Sequence, residues 1–273
     1  MTVTQKDKAV LFRTLHTQPR AFVIANVWDA GSAQLLAGLG FAAVATSSAA
    51  SAGTLGRRDG KITRDEALSH ARAISAAVDV PVSADLENGF GHAPEHVAET
   101  IRLAAQTRLV GGSIEDFSGD SNQPIYDFNQ AVERVAAAAA AAKSLSFPFT
   151  LTARSEGLLH DRPDLDDIIK RLQAFEKAGA DVLFAPGLPD LNAVRTVCSS
   201  LSKPVNFMVG IPGHSFSVEE LQAAGVRRIS LATSLYRAAM SGLYHAAKEV
   251  KEHGTFEFLN GLVSPKELGR FLR

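Results

Sequence analysis

The stretch DLDDIIKRLQAFEKAGADVLFAP (164–186) contains one complete helix-to-strand unit. Its helical part begins with acidic residues and ends in lysine and then Gly179, which suits the helix dipole and the preference for glycine at helix C-termini. The apolar run 181–186 follows at once with little polar alternation, as is typical of strands buried on both faces. The same junction of glycine and strand recurs in GLGFAAVAT (38–46) and AAGVRRISL (223–231).

Short apolar runs of this kind alternate with helix-like stretches along the whole chain. The runs cover residues 21–26, 42–47, 80–85, 111–116, 149–154, 181–186, 204–209 and 227–233. Eight strands that alternate with helices predict an α/β fold of the closed (β/α)8 TIM-barrel type. The alternative is an open doubly wound sheet, but NVWDAGSAQLLAG (26–38) stands where its G-x-G-x-x-G phosphate motif would follow the first strand.

No linker-like stretch divides the chain, so we expect residues 1–273 to form a single barrel domain. An extra C-terminal helical segment, GTFEFLNGLVSPKELGRFLR (254–273), lies beyond the eighth unit. Its apolar side chains, among them Phe256, Leu259 and Leu262, need an apolar surface to cover, on this subunit or on a neighbour.

Composition excludes several classes of function. The chain of 273 residues has 28 basic and 29 acidic residues, and this balance provides no basic surface for nucleic acid. No stretch approaches the roughly 18 apolar residues of a membrane span, and the first twenty residues lack the apolar segment of a secretory signal. The single cysteine, Cys198, excludes an internal disulfide and suits a reducing compartment. We therefore expect a cytoplasmic protein that binds neither nucleic acid nor membrane.

Carboxylates follow two neighbouring strands at the point where each strand ends. In VSADLENGFG (82–91), Asp85 ends the third apolar run and Glu87 follows two residues later, while Glu115 lies at the end of the fourth run. Because the C-terminal strand ends of a barrel form its active face, these acids should converge there. Like charges so close together repel unless a cation lies among them, and hard oxygen ligands favour Mg²⁺ or Mn²⁺.

Other polar residues at strand ends allow two interpretations each. Arg154 could bind an anionic substrate with its planar fork or could simply pair with the nearby acids. Ser47 and Ser48 could hold a ligand or occupy a tight turn. Asn206, within the seventh run, and His214, in the loop after it, are candidate substrate-binding residues, although a lone loop histidine is more often not catalytic.

Four stretches together resemble the isocitrate lyase and phosphoenolpyruvate mutase superfamily, from about residue 20 to about residue 240. They are NVWDAGSAQLLAGLGFAAVATSSAASAGTLGRRDG (26–60), VSADLENGFG (82–91), GGSIEDFSGD (111–120) and TLTARSEG (150–157). The resemblance implies a (β/α)8 barrel, commonly with an eighth helix exchanged between subunits, and a homodimer or homotetramer. It also implies Mg²⁺ and a small 2-oxo or 2-hydroxy carboxylate, whose C–C or P–C bond is made or broken through an enolate-like intermediate.

The resemblance also implies roles for individual residues. Asp85 matches the direct metal ligand, Glu87 the second acid of a D-x-D pair, and Glu115 a water-mediated ligand. The remaining matches are Asp59 as an outer-sphere acid, Ser47, Ser48 and Ala49 as the turn that holds the substrate carboxylate, and Arg154 as the group that meets the developing enolate. Arg154, Glu115 and Asp59 are thus the implied catalytic residues.

The loop after the fourth strand departs from the best-known members. DFSGDSNQPIYDF (116–128) lacks the K-[KR]-C-G-H motif whose cysteine donates a proton in isocitrate and methylisocitrate lyases. It has Asn122 but Asp120 where the mutases have a lysine. The leading hypothesis is a Mg²⁺-dependent carbon–carbon lyase or decarboxylase of a small 2-oxo or 2-hydroxy acid. The alternatives are a P–C bond enzyme, either mutase or phosphonopyruvate hydrolase, and a non-catalytic metabolite-binding barrel.

Overall fold

The computed structural model describes residues 3–272 and contains a closed barrel of eight parallel strands. The strands are β1 (Phe22–Val27), β2 (Val44–Thr46), β3 (Val82–Asp85), β4 (Gly111–Glu115), β5 (Thr150–Arg154), β6 (Val182–Phe184), β7 (Val205–Met208) and β8 (Arg228–Ser230). Each strand pairs with the next along the chain, and β8 pairs with β1 through Phe22 and Arg228. The predicted (β/α)8 barrel is therefore confirmed.

Helices follow the strands and surround the barrel. They are α1 (Gln5–Thr17), α2 (Ala30–Gly38), α3 (Ser48–Thr54), α4 (Arg64–Ala77), α5 (Pro94–Ala105), α6 (Phe128–Lys143), α7 (Leu165–Ala178), α8 (Leu191–Ser199), α9 (Val218–Ala223), α10 (Ser234–His253) and α11 (Pro265–Leu268). Local sequence explains many boundaries. Thr63 and Glu66 form a capping box at the start of α4. Gly179 ends α7 in the left-handed conformation, at φ 110°.

Helix α1 closes the barrel at the N-terminal ends of the strands. Phe12 packs there against Ile24 and Val110, and the ring of His16 contacts the rings of Phe12 and Phe22 edge-on. His16 Nδ1 lies 2.8 Å from the carbonyl oxygen of Phe12. Since a carbonyl oxygen only accepts, Nδ1 carries the proton and Nε2 has the free lone pair.

Burial and the charge of Arg228 lower the pKa of His16 to about 3. In the unfolded chain this histidine takes up a proton below about pH 6.5, whereas the folded state does not until about pH 3. Its contribution to stability is therefore complete above pH 6.5 and is lost as the pH falls. Between pH 7 and pH 5 we expect the free energy of unfolding to drop by about 2 kcal/mol from this residue alone. Urea unfolding of the parent and of His16→Gln should show this difference in pH slope, and parallel slopes would contradict it.

The C-terminal segment leaves much apolar surface exposed. Helix α10 has 20 residues, none of which is buried, and Leu243 and Tyr244 on it are each 60% exposed. Beyond α10, Phe256 and Leu262 are also exposed, so this chain does not cover the apolar side chains that the sequence analysis singled out. None of the helices between residues 3 and 272 has the length and hydropathy needed to span a bilayer.

Candidate active site

A cavity of about 220 Å³ opens at the C-terminal ends of the strands and continues into the barrel. At the mouth it is lined by Asn26, Thr46, Ser47, Ser48, Ala49, Asp59, Asp85, Arg154, Leu159, Phe184 and Met208, and deeper by Ile24, Ser83, Ser113, Asn206, Arg228 and Ser230. This volume is below the usual range for drug-sized ligands and suits a small metabolite.

Small side chains at inward-facing positions create the space. Barrel interiors are usually filled by bulky branched residues, but β3 and β4 here direct Ser83 and Ser113 inward. On β8, Arg228 and Ser230 face the cavity, whereas Ile229 between them packs in the outer apolar core. The strand period of two thus separates a polar interior from an apolar exterior.

Arg154, at the end of β5, joins the predicted acids. Its Nη1 lies 3.1 Å from Asp85 Oδ1 and 3.4 Å from Glu115 Oε2, and its Nε donates to Glu156 Oε1 at 2.7 Å. Burial alone would lower the pKa of Arg154, but the charges of Glu156, Glu115 and Asp85 together raise it well above its usual value. Arg154 therefore stays charged and bridges the ends of β3 and β4.

The acids around Arg154 outnumber it. Burial raises the pKa of Glu115 well above its usual range, although Arg154 opposes this. Burial and the charges of Asp85 and Asp59 raise the pKa of Glu87 to about 8. The Glu87 side chain also has a buried oxygen, Oε1, without a hydrogen-bond partner among residues 3–272. Without a further cation, part of this cluster must hold protons at neutral pH.

The loop after β3 has an unusual backbone. Glu87 and Phe90 both have positive φ, at 49° and 58°, which is a backbone conformation that residues other than glycine rarely adopt. Arg134 of α6, which is buried, holds this loop by donating to the carbonyl oxygens of Asn88, Gly91 and His92. Glu87 is therefore fixed beside Asp85, whose Oδ1 accepts its backbone N–H at 3.3 Å.

The turn after β2 meets the same acids. The backbone N–H of Ser48 donates to Asp85 Oδ2 at 3.3 Å, and the Ser48 side chain hydrogen-bonds Asp59. Partial burial raises the pKa of Asp59, although the hydrogen bond from Ser48 acts in the opposite direction and lowers it. Ser47 is the N-cap of α3, so it has a structural contact in addition to its place in the cavity wall beside Ala49.

A divalent cation fits this set of groups. Asp59, Asp85, Glu87, Glu115 and Glu156 are five carboxyl groups around the single guanidinium of Arg154. Across residues 3–272, however, no three His, Cys, Asp or Glu side chains gather as a ready metal-ligand set. Asp85, Glu87 and Glu115 are thus not gathered as three direct ligands, and Arg154 Nη1 contacts both Asp85 and Glu115. An ion here would take one or two carboxylates and water, as Mg²⁺ typically does.

Of the two predicted residues of β7 and its loop, only Asn206 is among the residues that line the cavity. Asn206 is fully buried in the cavity wall, where its Nδ2 donates to Ser230 Oγ at 2.9 Å. His214 is not among the residues that line the cavity. The chain turns at Gly213, with φ 81°, and the N–H of His214 donates back to the carbonyl of Ile211. The His214 side chain is half-buried, and its Nδ1 has no hydrogen-bond partner among residues 3–272.

Arg228 and Glu156 belong to the site although neither was predicted from the sequence. Arg228 lies at the start of β8 and would have been found only by knowing which face of the strand is inward. The motif TARSEG held Glu156, but nothing in it indicated the 2.7 Å contact with Arg154 Nε. By contrast, Asp116 at the end of β4 is a structural acid, buried against Arg171 at 3.4 Å.

Comparison with known proteins agrees with this geometry. The family model for phosphoenolpyruvate phosphomutase matches residues 12–251. A crystal structure from Burkholderia cenocepacia J2315, provisionally assigned as a lyase/mutase, superposes with a TM-score of 0.96 at 51% identity, covering 98% of this chain and 96% of that one. The chain is 28% identical to the 2-methylisocitrate lyase of Escherichia coli K12 over 89% of its length and 84% of the relative.

A second enzyme relative is oxaloacetate decarboxylase 2 of Pseudomonas putida W619, 28% identical over 82% of this chain and 75% of that protein. Cleavage of 2-methylisocitrate and decarboxylation of oxaloacetate are both lyase reactions, and the prediction of a lyase-type enzyme is confirmed. Because the family model spans most of the barrel, the chain belongs to the phosphoenolpyruvate phosphomutase family, within the isocitrate lyase and phosphoenolpyruvate mutase superfamily.

Proposed function

We propose that this protein is a Mg²⁺-dependent carbon–carbon lyase or decarboxylase that acts on a small 2-oxo or 2-hydroxy carboxylic acid. The observation that carries the proposal is the excess of carboxylates around Asp85 and Arg154 at the mouth of a small polar cavity. Asp85 would hold the ion directly, with Glu87 and Glu115 acting through water. Bound Mg²⁺ would supply Lewis-acid stabilisation of negative charge on a substrate oxygen.

The chain's own residues would orient the substrate and stabilise the developing charge. Arg154 lines the cavity with a guanidinium that stays charged, and such a preorganised charge would stabilise negative charge that develops on the substrate. Ser48 and Asp59 are hydrogen-bonded to each other at the rim, close to Asp85. Ser47 and Ala49 complete the wall where the substrate carboxylate would lie. Glu115 and Glu156 hold the guanidinium in place from the other side.

A small panel of substrates tests the proposal. Oxaloacetate, substituted malates, methylisocitrate and phosphonopyruvate would be incubated with the enzyme and Mg²⁺, with a chelator as the matched blank. Chelator-sensitive release of CO₂ or of a 2-oxo acid from one of the first three supports the proposal. Phosphate release from phosphonopyruvate would instead support a P–C bond enzyme. Tight oxo-acid binding without turnover of any compound would support a non-catalytic barrel.

We predict that isocitrate is not cleaved above background. The loop 116–128 has no thiol, and the only cysteine of the chain, Cys198, lies on α8 against Gly225, on the outside of the barrel. Burial raises the pKa of the Cys198 thiol to about 11, so it is a poor source of thiolate as well. Release of glyoxylate from isocitrate would be measured against an Asp85→Ala blank. A turnover of about one per second, within the ordinary enzyme range, would contradict the prediction.

We also propose that a second copy of this chain covers α10, giving a homodimer or homotetramer. Helix α10 has no buried residue and exposes Met240, Leu243 and Val250 on one side. Leu243→Asp should weaken assembly, as measured by light scattering after size-exclusion chromatography. His245→Asp, on the opposite side of the same helix, is the matched control. A parent that is monomeric at micromolar concentration would overturn this proposal.

A further inference from the structure

Arg228 places a second guanidinium at the bottom of the cavity. It is the first residue of β8, points into the barrel and is 5% exposed. Its Nε donates to Asn206 Oδ1 at 2.8 Å and its Nη2 to Thr152 Oγ1 at 3.1 Å. Its Nη1 lies 3.4 Å from His16 Nε2, the nitrogen that has the free lone pair.

All three partners of Arg228 are neutral. Asn206 and Thr152 have no charge, and burial with the charge of Arg228 itself keeps His16 unprotonated. Within the described chain, residues 3–272, no carboxylate lies within 4.0 Å of this guanidinium. Burial, together with the charge of Arg154, lowers the pKa of Arg228 to about 9, so the group is still a cation at pH 7. A buried charge without a counter-ion is costly, which points to a role in binding.

The Arg228 guanidinium also has N–H donors that are not used in these contacts. Of its five N–H groups, three meet Asn206, Thr152 and His16, and the other two have no partner among the described residues. Arg228 lines the cavity, so an anion that enters through the mouth can reach these donors. Two N–H groups of one guanidinium are what a carboxylate uses in a two-point contact.

The two cavity arginines differ in their surroundings. Thr152, which contacts Arg228, lies two residues before Arg154 on β5, so the two arginine sites are one inward-facing layer apart, roughly 7 Å along the strand. Arg154 at the mouth has three carboxylate partners, whereas Arg228 at the bottom has none. The unbalanced positive charge of the cavity is therefore at its inner end.

We propose that Arg228, held in its orientation by Asn206 and Thr152, binds the second carboxylate of a dicarboxylic 2-oxo or 2-hydroxy acid. This inference rests on the proposed function, in which the first carboxylate and its neighbouring oxygen lie at the Asp85 end of the cavity. It narrows the substrate class to acids with a second anionic group one layer deeper in the barrel. Asn206 and Thr152 are positioning residues, because they set the orientation of the guanidinium without adding charge.

Malate and lactate provide a matched pair of probes, since both are 2-hydroxy acids and only malate has a second carboxylate. Their dissociation constants would be measured by calorimetry in the presence of Mg²⁺. In the parent we expect malate to bind about 30-fold more tightly than lactate, the gain typical of one charge-assisted contact. In Arg228→Gln the preference should disappear while lactate binding is retained. The control is Arg227→Gln, which changes the neighbouring half-buried arginine, whose Nη1 donates to the carbonyl oxygens of Gly225 and Val226. This variant should keep the preference for malate over lactate.

A second variant keeps the proposal testable if Arg228→Gln does not fold. Asn206→Asp places a carboxylate against Arg228 Nε and neutralises the guanidinium without removing it, so it too should lose the preference for malate. Retention of the full preference in a folded Arg228→Gln or Asn206→Asp variant overturns the role of Arg228. So does a parent that binds the two acids equally, while leaving the proposed function intact. A parent that binds neither acid overturns both.

Discussion

Arg154→Lys is expected to lower kcat about a hundredfold. Arg154 uses Nε for Glu156 and Nη1 for Asp85 and Glu115, so its fork is held at two points and faces the cavity. Lysine keeps the charge but has one ammonium, which cannot replace both contacts at once. Removing one preorganised donor to charge that grows in the transition state typically costs about 3 kcal/mol. Because the contact would strengthen in the transition state, kcat and kcat/KM should fall together.

The alternative role of Arg154 is purely structural neutralisation of the three acids. In that case Arg154→Lys should leave kcat nearly unchanged and lower the melting temperature instead. Arg57→Lys is the matched control, since Arg57 forms a 2.7 Å pair with Glu66 on the surface. Exposed pairs of this kind contribute little to stability, so the control should change neither quantity appreciably. Steady-state kinetics and a melting curve on the two variants distinguish the two roles, and an unchanged kcat for Arg154→Lys would refute ours.

Asp85→Ala is expected to abolish metal-dependent activity. Asp85 is the acid on which the other groups converge: it accepts from Arg154 and from the backbone N–H groups of Ser48 and Glu87. These donors hold its carboxylate in one orientation at the cavity mouth. Its removal deletes the proposed direct ligand and also frees Arg154 from one of its partners. Activity on the substrate identified by the panel should fall to the level of the chelator blank.

Binding of Mg²⁺ can be measured without any substrate. Calorimetric titration of the parent should show binding that Asp85→Ala lacks, and added Mg²⁺ should raise the melting temperature of the parent only. Asp166→Ala, which removes an exposed acid in the first turn of α7, is the control for a simple loss of charge. If Asp85→Ala binds Mg²⁺ as tightly as the parent, the metal site lies elsewhere.

Local sequence was sufficient for the fold because its signals act over a few residues. The capping box of Thr63 and Glu66, and Gly179 between α7 and β6, mark boundaries through contacts within one turn. The placement of Asp85, Glu115 and Arg154 at strand ends was also predictable, since parallel strands in a barrel all end at one face. The structure brings these three residues into direct contact.

The residues at the inner end of the cavity could be identified only from the tertiary structure. Arg227 and Arg228 are adjacent, so in a strand one side chain points into the barrel and the other points out. The register in which β8 pairs with β1 decides that Arg228 is the one that points inward. Asn206 lies within β7 and His214 in the loop that follows it, yet only Asn206 lines the cavity. The sequence alone thus determined the eight strands and the acidic mouth. Barrel closure decided which face of each strand points inward, and with it the burial of the Arg228 guanidinium. Side-chain direction alternates with a period of two, whereas closure pairs residues such as Phe22 and Arg228 that are 206 positions apart (228 − 22).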